Sequence, residues 1–320
     1  MRSADPVGYD VRMARATDQA IAVVLAVFLL GCGEDDADSS SSAASGSGGA
    51  GSGAGASGSS GSGASGASGG GPASTGSGGG GGTGATGDPC EGRIVCEDFE
   101  SYELGAPPGG PWEAATNNGE VAVDGAHVMS GQRAVRVATG AGQYKQALFF
   151  TEGAPAFPAA GNVFYGRMMF YMEQAANDGV HWTMIQGSGP LEGHDGVTAH
   201  YRYGGMWEGK MMANYETSEL ATDCWQNTET VMPTNAWTCM EWRFDGPANE
   251  MRFWLDGVEI DPLHVTGQGM GCGGHDLDDE WLAPTFDRLW LGWESYQQDD
   301  AREAWIDDVI IDDQPIGCPP

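Results

Sequence analysis

Positive charge is scarce in this chain: 14 Lys and Arg stand against 45 Asp and Glu in 320 residues, a formal net charge of −31. A surface that acidic repels phosphate, so nucleic acid and anionic membrane are poor partners for any folded part. Long hydrophobic runs are also missing. The apolar stretch 20–30 falls short of the about 20 residues that a bilayer span takes. No segment repeats apolar residues at i, i+3, i+4 and i+7 with caps at its ends, which argues against a helical domain. Cys-x-x-Cys pairs and ligand-spaced histidines are absent, so zinc has no obvious cage. The one Gly-x-Ser-x-Gly match, at 66–70, lies in Ser/Gly/Ala-rich sequence with no strand or helix to make an elbow, and no His-Glu-x-x-His helix is present, which removes two hydrolase classes.

What stands at the beginning is a seam. Behind Arg12 and Arg15 the stretch 20–30 ends in Leu29-Leu30-Gly31-Cys32, and polar low-complexity sequence follows at once. A short apolar core before a small-residue cut site reads as a secretory signal over 1–31. Its ending resembles the lipobox of bacterial lipoproteins, which implies lipidation of Cys32 and a place in the cell envelope or at the cell surface. A plain signal peptide or an N-terminal anchor helix is the alternative. Residues 32–88 form the next unit, and 39–87 are almost entirely Ser, Gly, Ala and Thr. Such a stretch cannot offset its chain entropy by burial and is expected to be disordered, with a reach of roughly 40 Å. The membrane is thus expected as a partner through the lipid alone.

Residues 89–320 fit one domain. With Cys32 set aside, six cysteines remain: Cys90, Cys96, Cys224, Cys239, Cys272 and Cys318. An even number in an exported domain implies disulfides, and six cysteines allow fifteen pairings. Strand-like runs recur at 94–99, 120–123, 134–138, 146–150, 163–172, 180–186, 197–203, 210–215, 238–244, 250–255, 286–293 and 304–311. They are rich in aromatic and β-branched residues and bounded by Gly, Pro, Asn or Asp. The clearest turn is Asp256-Gly257 between two such runs, the signature of a two-residue hairpin. The expected fold is all-β: two antiparallel sheets packed as a concanavalin-like sandwich or jelly roll.

Period-two alternation sorts side chains by face. His200 and Arg202 share one face of their run, with Tyr201 and Tyr203 on the other. Glu241 and Arg243 share a face opposite Met240, Trp242 and Phe244. Trp290, Glu294 and Tyr296 fall together. A sheet face carrying His, Arg, Glu, Tyr and Trp suits sugar, because rings stack on pyranose faces and charged groups bond hydroxyls and carboxylates. A retaining glycosidase would pair carboxylates such as Glu241 and Glu294 about 5 Å apart, yet the Glu-x-Asp-x-x-Glu motif of sandwich glucanases is absent.

The pieces Cys96-Glu-Asp-Phe-Glu100-Ser, Ser130-Gly131 leading into Ala134-Val-Arg-Val, His200-Tyr-Arg202-Tyr-Gly-Gly205, Gly292-Trp293-Glu294-Ser-Tyr296, Trp305-Ile-Asp307-Asp308-Val and Ile316-Gly-Cys318 occur in this order. Together they make the domain resemble the Cip-like core domain of fungal cellulose-induced proteins, which is related to glucuronan lyases. The resemblance implies a jelly roll that engages a polysaccharide, with a uronic-acid polymer cut by β-elimination or, alternatively, a carbohydrate bound without catalysis. It implies Arg202 as the clamp on the substrate carboxylate, His200 and Tyr296 as base and acid, and His181 nearby. Glu241, Arg243, Trp290 and Glu294 are then the substrate-binding set. It further implies a structural calcium ion joining the first strand to the last, held by Glu100, Ser130, Arg133 (through backbone oxygen) and Asp307. Calcium wants six to eight oxygens with carboxylates among them; the bland reading of the acidic surface is solubility. One departure stands out: Met206 follows the Gly-Gly pair where the related proteins carry Gln.

Overall fold

The computed structural model describes residues 89–217, 219–274 and 276–319. The expected signal segment, the expected lipidation site Cys32 and the expected disordered linker therefore lie outside the described residues. Within them the chain is built of strands, with two single-turn 3-10 segments, Ala160–Asn162 and Asp261–Leu263. Among the described residues no helix is long and apolar enough to cross a membrane.

In chain order the strands are β1 (Val95–Glu97), β2 (Trp112–Asn117), β3 (Gly119–Asp124), β4 (Ala134–Thr139), β5 (Lys145–Glu152) and β6 (Val163–Met172). Next come β7 (Trp182–Pro190), β8 (Thr198–Met206), β9 (Lys210–Thr217), β10 (Thr222–Val231), β11 (Thr238–Asp245) and β12 (Glu250–Leu255). The last are β13 (Val258–Glu259), β14 (Val265–Thr266), β15 (Gly271–Gly273), β16 (Arg288–Ser295) and β17 (Arg302–Asp312). One sheet has nine strands along the path β13-β12-β11-β6-β17-β4-β3, with β1 on β17 and β14 on β12. The other has eight in the order β15-β10-β9-β8-β7-β16-β5-β2, and all pairings are antiparallel.

Alternation explains the two layers. Met240, Trp242 and Phe244 of β11 and Phe164, Met168 and Phe170 of β6 turn inward and are buried. They meet Tyr201 and Tyr203 of β8 and Leu289, Leu291 and Trp293 of β16, which are buried from the other side. Trp182 and Trp293 stack with ring centroids 5.0 Å apart. Each such aromatic contributes about 1.5–3 kcal/mol by leaving water. The expected all-β sandwich is the fold found.

Every strand-like run read from the sequence is a strand. The Asp256-Gly257 turn is also as expected: Leu255 pairs with Val258, and both turn residues have positive φ, 49° and 78°, as this hairpin type requires. Strands β2 and β10 were not anticipated, because their sequences, WEAATN and TDCWQNTETV, are largely polar. All six domain cysteines are paired, as Cys90–Cys96, Cys224–Cys272 and Cys239–Cys318, the state expected in an oxidising compartment.

Candidate functional site

The outer face of the eight-stranded sheet, turned away from the core, carries the chemistry. Strand β8 sends His200, Arg202 and Gly204 outward between core-facing Tyr201 and Tyr203. On β7 the register slips between Thr183 and Ile185. Met184 and Ile185 are both wholly buried, so two successive residues face the core and the alternation restarts. That bulge turns Thr183 and His181 to the face already held by Gln186 and Ser188. The backbone of β7 also comes close to β8 there: a Cβ on Gly204 would lie 1.9 Å from the Trp182 carbonyl oxygen. Only glycine fits there, because the β7 backbone occupies the place of a side chain.

Tyr296 and His181 lie beside Thr183, the residue paired with Gly204. Their rings are 4.8 Å apart, and the Tyr296 amide donates to the His181 carbonyl at 3.1 Å. The Tyr296 hydroxyl donates to Glu294 Oε2 at 2.8 Å and lies 3.2 Å from Thr183 Oγ1. Tyr144, which the sequence reading did not single out, donates to the other Glu294 oxygen at 2.7 Å. Two residues before Gly204 on β8 stands Arg202, buried at 7 % exposure. It donates through Nε to Gln186 Oε1 and through Nη1 to Glu216 Oε2. Beyond it Asn214 donates to Asp223 Oδ1 at 2.7 Å.

Burial and the Arg202 charge set the protonation states. Both lower His181, to about 3. Burial first, then Arg202 and Arg288, hold His200 well below the ordinary imidazole range. Burial raises the Tyr296 and Tyr144 hydroxyls, with the Glu294 charge adding to it. At neutral pH the face thus presents neutral imidazoles and protonated phenols. His181 Nε2 and His200 Nδ1 are covered and make no hydrogen bond among the described residues. Such orphaned ring nitrogens are costly unless a ligand completes them.

The candidate residues divide as follows. His181, Arg202, Glu294 and Tyr296 come together on this face: Tyr296 is bonded to Glu294, and the Arg202 charge acts on both His181 and Tyr296. His200 sits on the far side of Arg202, four residues along β8 from Gly204, or about 13 Å, and the imidazole in contact with Tyr296 is that of His181. Trp290 lies on the same face, its ring 4.2 Å from Phe150 and its Nε1 donating to Ser188 Oγ at 3.0 Å. Glu241 and Arg243 are not part of the site: β11 belongs to the nine-stranded sheet, and both side chains lie on that sheet's own outer side. Glu241 accepts the amides of Ile316 and Gly317 at 2.9 and 3.2 Å, while Arg243 pairs with Glu250 and Asp245. Strand parity was right but says nothing about which sheet a strand joins. A glycosidase pair of Glu241 with Glu294 is excluded for the same reason. A cavity of about 500 Å³ lined by Glu120, Arg136 and Glu303 also opens on the nine-stranded sheet, away from these residues.

The expected calcium ligands do meet at one corner, but in a different arrangement. Asp307 is fully buried, and burial pushes its carboxyl up to about 6. Its oxygens accept the amides of Met129, Ser130 and Asp308 at 2.9, 3.2 and 2.8 Å. Glu100 Oε1 accepts the amides of Gln132 and Arg133 at 2.6 and 2.7 Å. Ser130 Oγ donates to Asp308. The backbone oxygens of Glu100 and Tyr102 both accept from the Arg133 guanidinium. The loop therefore offers amide donors and a side-chain cation where calcium would need oxygens. Among the described residues no group of three or more His, Cys, Asp or Glu is arranged to hold a metal. The set as folded does not fit the ion.

Comparisons with known proteins bear on this domain. The profile of a family described as the Cip1-like core domain, polysaccharide-lyase-like, matches residues 111–314. No curated protein matches the chain. The solved structure of the cellulose-induced protein Cip1 superposes with a TM-score of 0.53 at 22% identity, covering 70% of this chain and 100% of that one. An endo-β-1,4-glucuronan lyase from Trichoderma reesei gives 0.46 at 11% identity, over 69% of this chain and 96% of that one. The likeness to Cip1, at that identity, bears on the fold alone.

Proposed function

The chain belongs to the Cip1-like core-domain family of polysaccharide-lyase-like proteins, and on that premise we propose that it engages a polysaccharide outside the cytoplasm and cuts a uronate-containing chain by β-elimination. The observation that carries this reading is the contact of His181 with Tyr296 on the face that also carries Arg202. A neutral imidazole accepts the proton α to the uronate carboxylate, so the C5–H bond breaks and C4=C5 forms. The C4–O4 bond breaks as the Tyr296 hydroxyl protonates the departing oxygen. Proton transfer from His181 to Tyr296 restores both groups. Arg202 supplies the positive charge near the substrate carboxylate that makes the α proton acidic. A bound carboxylate also opposes the influence of Arg202 on His181 and brings the base nearer its ordinary range.

A second reading is a binding module without turnover. It is favoured by the pairing of Arg202 with Glu216 and Gln186, against which a substrate carboxylate must compete, and by Met206, which offers no amide. Incubation with a panel of polyuronides, following ultraviolet absorbance of the unsaturated product, decides between the two. Product from any polymer supports the lyase; binding with no product from all of them leaves the module.

The setting proposed with this function is the cell envelope, reached by a lipid on Cys32 and a 32–88 tether. The three disulfides support export. Cys32→Ala is expected to move the protein from the membrane fraction to the soluble one. A wild-type protein already soluble with an unmodified Cys32 would refute the anchor.

A further inference from the structure

The register of the eight-stranded sheet sets one row of side chains squarely across its strands. Phe150 pairs with Trp290, Trp290 with Gln186, Gln186 with Arg202, Arg202 with Asn214, and Asn214 with Trp225. Directly opposed residues share a face, so the polar centre is flanked by aromatic groups on both sides. Strands lie about 4.8 Å apart, so Trp290 and Trp225, four strand steps from each other, stand roughly 19 Å apart. That is the length of several linked sugar rings.

The far end is open to a passing chain. Trp225 leans over the edge strand β15, where a Cβ on Gly271 would come within 3.0 Å of its ring. Gly271 and Gly273 alternate with Cys272, which is directed to Cys224 and the core. The edge strand therefore presents only glycine on this face, and the indole lies over bare backbone. At the near end the Ser188 bond and the Phe150 packing hold Trp290 in place.

Resting on the reading of this face as polysaccharide-binding, we propose that the polymer lies across the strands over Arg202, with Trp225 as the stacking platform of a remote subsite. The site then takes an internal stretch of chain, not a chain end. A polymer lying along β8 would instead run off over Trp207, which is 47% exposed just past the end of that strand.

Calorimetric titration with dimers and hexamers of β-1,4-linked glucuronate and of β-1,4-linked xylose tests the path. Trp225→Ala is expected to weaken the hexamer about tenfold, the size of a lost ring stack, and to leave the dimer unchanged. Gly271→Ala displaces the indole without deleting it and is expected to weaken the hexamer too, which guards against a folding defect in the first variant. Trp207→Ala is expected to change neither ligand. Loss of hexamer binding in Trp207→Ala, or its retention in both Trp225→Ala and Gly271→Ala, overturns the path while leaving the site in place. A wild-type protein that binds no oligosaccharide of the panel overturns the reading of the face and the path together.

Discussion

The imidazole of His181 and the phenol of Tyr296 lie 4.8 Å apart, ring to ring, with the Tyr296 amide bonded to the His181 carbonyl. Main chain and side chain therefore fix the same pair. Tyr296→Phe removes the hydroxyl that is to protonate the leaving oxygen but keeps the ring that packs on His181. Turnover on a polyuronide is expected to fall by about 10²–10⁴, with little change in the affinity for the polymer. His181→Ala should do the same. If affinity falls in step with rate in both variants, the pair binds sugar and does not move protons.

The histidines also set an acid limb to stability. The folded state holds His181 near 3 and His200 well below its ordinary value, whereas in the unfolded chain imidazoles titrate near 6.5. Between those values the unfolded state binds more protons, so stability is fully present above about pH 6.5 and is lost as pH falls. The slope is about 1.4 kcal/mol per pH unit for each histidine. Asp307, raised to about 6, works in the opposite sense below that pH; denaturant midpoints from pH 7 to 4 should still show the limb, and His181→Gln should flatten it. A limb unchanged by that variant would place the titrating group elsewhere.

Glu241 illustrates what the sequence could and could not disclose. Its face within β11 was legible from alternation, as were the strands themselves, the Asp256-Gly257 hairpin and the shared face of His200 and Arg202. The partner strand was not, because alternation is a local signal and sheet membership depends on contacts with β6, far away in sequence. The same limit left His181 to the family resemblance alone: simple parity from Gln186 points it inward, and the bulge at Met184–Ile185 reverses that. Trp225 was overlooked because β10 is polar on both faces, and Tyr144 because it precedes its strand.

The observed role of Glu241 makes a direct prediction. Its two oxygens hold the amides of Ile316 and Gly317 next to the Cys239–Cys318 disulfide. Glu241→Gln turns one acceptor into a donor facing an amide, at a cost of about 1–3 kcal/mol. The midpoint of denaturant unfolding should drop accordingly while carbohydrate affinity stays constant. Weaker sugar binding at unchanged stability would return Glu241 to the site.

The corner of Glu100, Arg133 and Asp307 predicts indifference to calcium. Neither chelator nor added calcium is expected to move the melting temperature, whereas a ligand of the native state at 100-fold excess over its Kd would add about 2.7 kcal/mol. Arg133→Ala leaves the carbonyls of Glu100 and Tyr102 without their donor and should lower stability by about 1–3 kcal/mol. A melting curve shifted down by chelator would show that an ion does bind here.

The pairing of Arg202 with Glu216 separates the two readings of the site most sharply. As folded, Nη1 is directed to Glu216 Oε2 and Nε to Gln186, so a uronate must share a guanidinium already bonded to a carboxylate. Glu216→Gln keeps a hydrogen-bond acceptor and removes the competing charge. Disturbing a buried ion pair costs several kcal/mol when one charge is left bare, so some loss of melting temperature is expected. If Arg202 serves the substrate carboxylate, the same variant should bind polyuronide more tightly than wild type, and the gain should fade with added salt. A neutral xylan oligosaccharide, having no carboxylate, should show no such gain. Were uronate and xylan to respond alike, Arg202 would be holding the sheet face in shape, and the lyase reading would lose the charge on which its chemistry depends.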